Sequence, residues 1–98
     1  MSELEKECKH PVNFNGLSPE DFAREFGNTN YFYQKKCFEE LGKEYKRQSQ
    51  GDRERGRAQL SSGLENLSTA FYLIVKSIDK VCNACKKYMK NPFNEQYF

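Results

Sequence analysis

The chain has almost none of the sequence features that mark enzymes. It contains a single histidine, His10, in a segment that shows neither helical nor strand periodicity. Glycine-rich phosphate loops, nucleophile elbows and paired-carboxylate motifs are also missing. Neighbouring acidic residues such as Glu39 and Glu40 are explained more simply as the solvated face of a helix. We therefore expect that the protein is not an enzyme.

Long hydrophobic runs are missing as well. The longest one, residues 70–75, has six residues, whereas a membrane-spanning helix needs about 20. The first ten residues alternate acidic and basic side chains and have no apolar stretch typical of a signal peptide. We expect no membrane association and a cytoplasmic location, where the four cysteines stay reduced unless they bind a metal.

The chain has room for one small domain. We treat residues 1–98 as a single helical domain with an irregular N-terminal segment, 1–17, and a short C-terminal tail, 92–98. Only 37% of the residues are hydrophobic and 31% are charged, and a domain of this size buries a modest fraction of its surface. Additional apolar surface is therefore expected to be covered by another chain.

The most regular feature is a seven-residue repeat in the second half of the sequence. Its members are alternately four and three residues apart, a spacing that predicts one long helix with a continuous apolar stripe. The nine residues of this stripe are Leu60, Leu64, Leu67, Phe71, Ile74, Ile78, Val81, Cys85 and Tyr88. We expect this helix to span residues 53–90 and to end before Pro92, which disfavours a helical conformation of the residue before it.

Two further helices are predicted upstream. Ser18 is a candidate N-cap for a short helix that has Pro19 in its first turn and Gly27 at its end. A second stripe predicts a longer helix that Asn28 or Asn30 can cap and that pairs with the last helix: Tyr31, Gln34, Phe38, Leu41 and Tyr45. A turn at Gly51-Asp52, with Asp52 as N-cap of the last helix, would make an all-α fold with a long antiparallel hairpin.

The long helix has more apolar surface than one neighbour can cover. Small or apolar residues flank the stripe on both sides, and residues 70–75 are apolar all round the helix. We expect Tyr31, Phe38 and Phe71 in the core. We also expect two hairpins to pair as a homodimeric four-helix bundle through Tyr72, Leu73 and Val75.

The cysteines allow a metal site as a minority interpretation. Cys82 and Cys85 are three residues apart on a helix, and Cys8 and His10 would complete a four-ligand set suited to zinc. Zinc-binding cysteine pairs usually lie in turns, however, and Cys85 belongs to the apolar stripe, where a free cysteine packs as a small hydrophobe. We therefore expect core cysteines and no bound cofactor.

Basic residues offer a different function. Four lysines lie on the side of the long helix away from the stripe: Lys76, Lys80, Lys87 and Lys90. They are candidates for phosphate contacts with nucleic acid, as are Arg53, Arg55 and Arg57 near the turn. Lysines near a helix C-terminus also stabilise the helix dipole and keep the surface soluble, and we favour that role.

Together these observations favour a non-enzymatic interaction or regulatory module. A small adaptor or inhibitor, of the kind that cells and phages use, fits a self-associating helical hairpin with an unidentified protein partner. A nucleic-acid-associated protein and a zinc-stabilised module remain as alternatives.

Overall fold

The described part of the chain has three complete helices, two of which form a long antiparallel hairpin. The computed structural model describes Glu3 and residues 7–88. Helix α1 spans Pro19–Gly27, α2 spans Tyr31–Glu54 and α3 spans Ala58–Lys86. The described residues contain no strand beyond an isolated bridge between Phe14 and Leu17. The all-α prediction is therefore confirmed for this part of the chain. The pairing of two hairpins stays a prediction.

The helix caps in the first half follow the sequence. The Ser18 hydroxyl accepts a hydrogen bond from the backbone N–H of Asp21 at 3.1 Å, and Pro19 lies in the first turn of α1. Asn30 caps α2, because its side-chain oxygen accepts from the N–H of Phe32 at 2.7 Å. These short polar side chains satisfy N–H groups that have no partner within the helix.

The turn between α2 and α3 lies later than predicted. Helix α2 continues through Gly51 and Asp52 to Glu54, and α3 begins at Ala58. The prediction of a turn at Gly51-Asp52 was therefore wrong. The connection uses Gly56 instead, whose φ of +77° lies in the left-handed region that glycine adopts without strain.

Asp52 stabilises this later turn from inside α2. It is buried, and its carboxylate lies 3.4 Å from Nε of Arg57. The backbone N–H of Arg57 also donates to the Asp52 carbonyl at 2.8 Å. Asp52 therefore holds the chain as it leaves the helix, a different role from the predicted N-cap of α3.

The contact between α2 and α3 is centred on small and polar residues. The Ser68 hydroxyl donates to the Gly42 carbonyl at 2.6 Å, and the Ser49 hydroxyl donates to the Ser61 carbonyl at 2.7 Å. These residues leave little side-chain bulk between the backbones, so the two helices can approach closely. The inner face of α3 is a row with seven-residue spacing: Ser61, Ser68, Val75 and Cys82.

The predicted apolar stripe is therefore rotated away from the centre of this contact. Leu64, Phe71, Ile78 and Cys85 border α2, and the other members of the stripe are exposed: Leu60, Leu67, Ile74, Val81 and Tyr88. Tyr31, predicted in the core, is exposed too, whereas Phe38 and Phe71 are half-buried. The close approach at the serines and Gly42 leaves no space between the helices for a row of large side chains.

Candidate interaction surface

The side of α3 turned away from α2 has an apolar surface, which we call the outer face. Four large side chains, seven residues apart, are 39–49% exposed: Leu60, Leu67, Ile74 and Val81. Three residues after each of them lies an exposed small residue: Gly63, Ala70, Ser77 and Ala84. The outer face thus carries no charged side chain over about 36 Å of helix, at a rise of 1.5 Å per residue.

A row of stacked aromatic rings lies beside the outer face. Phe71 of α3 stacks on Tyr45 with ring centroids 5.4 Å apart and on Phe38 at 6.2 Å. Phe26 of α1 meets Phe38 edge to face at 5.6 Å, and Phe22 stacks on Phe26. These rings are only partly covered within one chain. The hairpin therefore has one broad apolar side, which includes the outer face and the edge of the helix contact.

Gly42 and Tyr72 hold α3 in the rotation that exposes this side. A Cβ atom at Gly42 would lie 3.1–3.3 Å from three ring carbons of Tyr72, so the ring packs directly on the glycine. Sequence reasoning missed Gly42, although a glycine within a long helical pattern is a signal of close packing. Because Tyr72 takes this position against α2, the large residues of the outer face point away from it.

Ion pairs fix the register of the two helices. Lys35 Nζ lies 2.7 Å from Asp79 Oδ1, and Lys46 Nζ lies 2.7 Å from Glu65 Oε1. The hydrogen bond from each lysine, followed by its charge, lowers the pKa of the facing carboxyl below its ordinary value. Arg53 also contacts Glu65, at 3.2 Å. These pairs link α2 to α3 on the side of the hairpin that holds the charged residues.

The predicted dimer residues lie in three different environments. Tyr72 packs on Gly42 of its own chain, and Val75 is half-buried on the inner face. Leu73 is 58% exposed and borders the outer face. Of the three, Leu73 has the position expected of a residue that contacts another molecule.

The candidate phosphate contacts are only partly available. Lys76, Lys80 and Lys87 are exposed and have no ion pair within the described residues, while Lys90 lies outside those residues. The arginines near the turn, in contrast, form ion pairs within the chain. Arg53 contacts Glu65, and Arg55 and Arg57 lie 4.0 Å and 3.4 Å from Asp52. Arg55 and Arg57 therefore stabilise the turn, and Arg53 links α2 to α3.

The cysteines do not form a common site in the described part of the chain. Cys8 and His10 are exposed, whereas Cys82 is 1% exposed and Cys85 is half-buried. No group of three or more potential metal ligands comes together among these residues. Burial raises the pKa of the Cys82 thiol, which favours the neutral form and a packing role.

Comparisons with known proteins do not extend this description. No protein-family model matches the chain, and neither a curated protein nor a solved structure shows significant similarity to it. Among the described residues, no helix has the length and apolar character that crossing a membrane requires. Functional inference therefore depends on the surface of the hairpin itself.

Proposed function

We propose that the protein is a non-enzymatic interaction module, an adaptor or inhibitor, that self-associates through the outer face of α3. The supporting observation is the exposed row of Leu60, Leu67, Ile74 and Val81. Large contiguous apolar patches are rare on monomeric proteins and mark interaction sites. The row follows a helix at seven-residue spacing, the pattern by which helices pack against other helices.

A second hairpin is the partner that suits this surface. Within one chain, the only buried hydrophobic residues of the described part are Ile78 and Cys82, so the hairpin has little apolar core of its own. A second copy placed on the apolar side would cover the outer face together with Phe38, Tyr45 and Phe71. Four helices would then enclose one core, as in helical bundles.

The test is the mass of the protein in solution, measured by light scattering at increasing concentration. We expect a dimer at tens of micromolar. Leu73→Glu should weaken the dimer, because it places a charge beside the outer face. Lys76→Glu is the matched control on the exposed polar side of the same helix and should leave the mass unchanged. A monomeric mass across this range, or equal effects of the two changes, would contradict the proposal.

Nucleic-acid binding is a second candidate function. It is supported by Lys76 and Lys80 of α3 and by Lys87 directly after it, which are exposed and have no ion pair in the described residues. If they contact phosphates, affinity for a DNA duplex should fall with rising salt, and each lysine replaced by glutamine should reduce that slope by about one unit. Unchanged affinity after Lys76→Gln and Lys80→Gln would leave these lysines with a solubilising role.

A cytoplasmic location also belongs to this proposal. All four cysteines are free, and one of them is buried in the helix contact. Small secreted domains usually join such thiols in disulfides, whereas reducing compartments keep them free. Thiol alkylation in freshly lysed cells should label the exposed Cys8; protection of Cys8 until a reductant is added would contradict this location.

A further inference from the structure

The outer face of α3 alternates large and small residues in a way that distinguishes two possible pairings. Each large residue at position n is followed by a small residue at n+3, and the pair recurs every seven residues. Seen along the helix, these are the two positions that meet a partner helix in a coiled coil. The order of large and small residues therefore determines which orientation of a second α3 packs evenly.

Consider an antiparallel pairing whose two-fold axis lies at the level of residue 72. Every layer of the contact then joins one large and one small residue. Leu60 faces the partner's Ala84, and Leu67 faces the partner's Ser77. Ile74 faces the partner's Ala70, and Val81 faces the partner's Gly63. All four layers thus have similar bulk, so the helices can approach closely along their whole length.

A parallel pairing divides the same residues unevenly. Its layers alternate between two large side chains and two small ones, and Gly63 would face the partner's Gly63 across a gap. Side chains cannot fill such a gap while the leucine layers hold the helices apart, and unfilled space in a core is destabilising. Bulk alone therefore favours the antiparallel orientation.

The charges beside the outer face favour the same orientation. Residues 76–90 carry five lysines and one aspartate, so parallel helices would bring two basic ends together. In the antiparallel arrangement these ends lie at opposite ends of the pair. Lys80 then lies beside the partner's Asn66, and Leu73 meets the partner's Leu73 near the two-fold axis. This contact covers Leu73, which is exposed in the single chain between the polar residues Asn66 and Lys80.

We propose that the partner of the outer face is a second copy of this chain, bound with the two α3 helices antiparallel and the two-fold axis at the level of residue 72. This inference rests on the proposed self-association and adds its orientation and register. The contact is isologous, because the same residues contribute from both chains. It closes at two copies and leaves the exposed Lys86 and Lys87 of each chain at opposite ends of the dimer.

Photo-crosslinking tests the orientation with the full chain and its native cysteines. The photoreactive amino acid p-benzoyl-phenylalanine replaces Val81, and this variant is mixed with unmodified protein that carries heavy isotopes. After irradiation and trypsin digestion, mass spectrometry identifies the heavy peptide that is attached. We expect residues 58–76, which contain Gly63. Crosslinks to residues 81–86 of the heavy chain would show a parallel pair and overturn the inference.

A packing variant tests the same register independently. Ala70→Phe should weaken the dimer about tenfold or more, because the ring enters the layer that the partner's Ile74 already fills. Thr69→Phe, on the exposed polar side of α3, is the matched control and should have little effect. If both variants stay dimeric with unchanged affinity, the register is wrong. If the unmodified protein is monomeric, the proposed self-association fails before its orientation is at issue.

Discussion

Single residues decide how closely the two long helices approach. Gly42 accepts the Tyr72 ring, and the hydroxyls of Ser49 and Ser68 replace the bulk that leucines would bring. The positions of the small residues were visible in the sequence. An apolar repeat alone, however, predicts that the large residues pack against the neighbouring helix. Hydrogen bonds from serine to the backbone of the facing helix have no periodic signal, so the rotation of α3 could not be predicted.

Gly42 and Tyr72 should be energetically coupled. Gly42→Ala improves helix propensity by about 1 kcal/mol, but its methyl group meets the Tyr72 ring at 3.1–3.3 Å. In a Tyr72→Ala background that obstacle is gone, and the same change should be stabilising. Urea unfolding of the four variants should give a coupling free energy of roughly 1–3 kcal/mol. Gly51→Ala, whose added Cβ would meet only the end of the Arg55 side chain at 3.4 Å, is the control, and additive effects at Gly42 and Tyr72 would contradict this packing.

At the scale of elements, the sequence predicted the helix caps correctly but not the position of the turn. Ser18 and Asn30 cap α1 and α2 because each precedes a helical pattern with a side chain that reaches the next turn. The turn was predicted at Gly51, however, and the structure has it at Gly56. Asp52 and Arg57 decide in favour of Gly56 by contacts across the turn itself, and local propensity does not contain such contacts.

The two glycines should respond oppositely to the same substitution. Gly56→Ala should destabilise the protein by about 1–2 kcal/mol, because an L-residue is strained at a φ of +77°. Gly51→Ala should stabilise it by roughly 0.5–1 kcal/mol, because Gly51 lies within α2. Thermal unfolding measures both changes. The reverse order would place the turn at Gly51.

The ion pairs between α2 and α3 predict a weakening of the hairpin in acid. The folded-state pKa values of Glu65 and Asp79 lie below their ordinary values of 4.5 and 3.8. Their contribution is therefore present above those values and is lost as the pH falls through the lower folded-state values. Stability measured by urea unfolding should decline below about pH 4.5. Lys46→Met together with Lys35→Met should flatten this decline, whereas Lys43→Met, at an exposed pair within α2, should not.

At the scale of the whole molecule, the proposed dimer predicts that two kinds of apolar residue respond differently to truncation. Phe71 contacts rings of its own chain, so Phe71→Ala should cost roughly 2–4 kcal/mol even in the dilute monomer. Ile74 belongs to the outer face, so Ile74→Ala should leave the dilute monomer nearly unchanged and lower the melting temperature only where dimers form. Melting curves at several concentrations provide the comparison. A large loss for Ile74→Ala in the dilute protein would show that the outer face is covered within one chain.

The ladder of contacts across the hairpin also has a kinetic consequence. From the Gly56 turn outward, the hydrogen-bonded partners are 12 residues apart at Ser49 and Ser61, then 19 at Lys46 and Glu65, 26 at Gly42 and Ser68, and 44 at Lys35 and Asp79. Each contact, once made, shortens the loop that the next one must close. The hairpin can therefore zip from the turn towards its open end, and such a series of short loop closures favours rapid folding. Fraying would run in the opposite direction, so amide protons near Ile78 and Cys82 should exchange before those near Leu64, which lies beyond the unbonded first turn of α3.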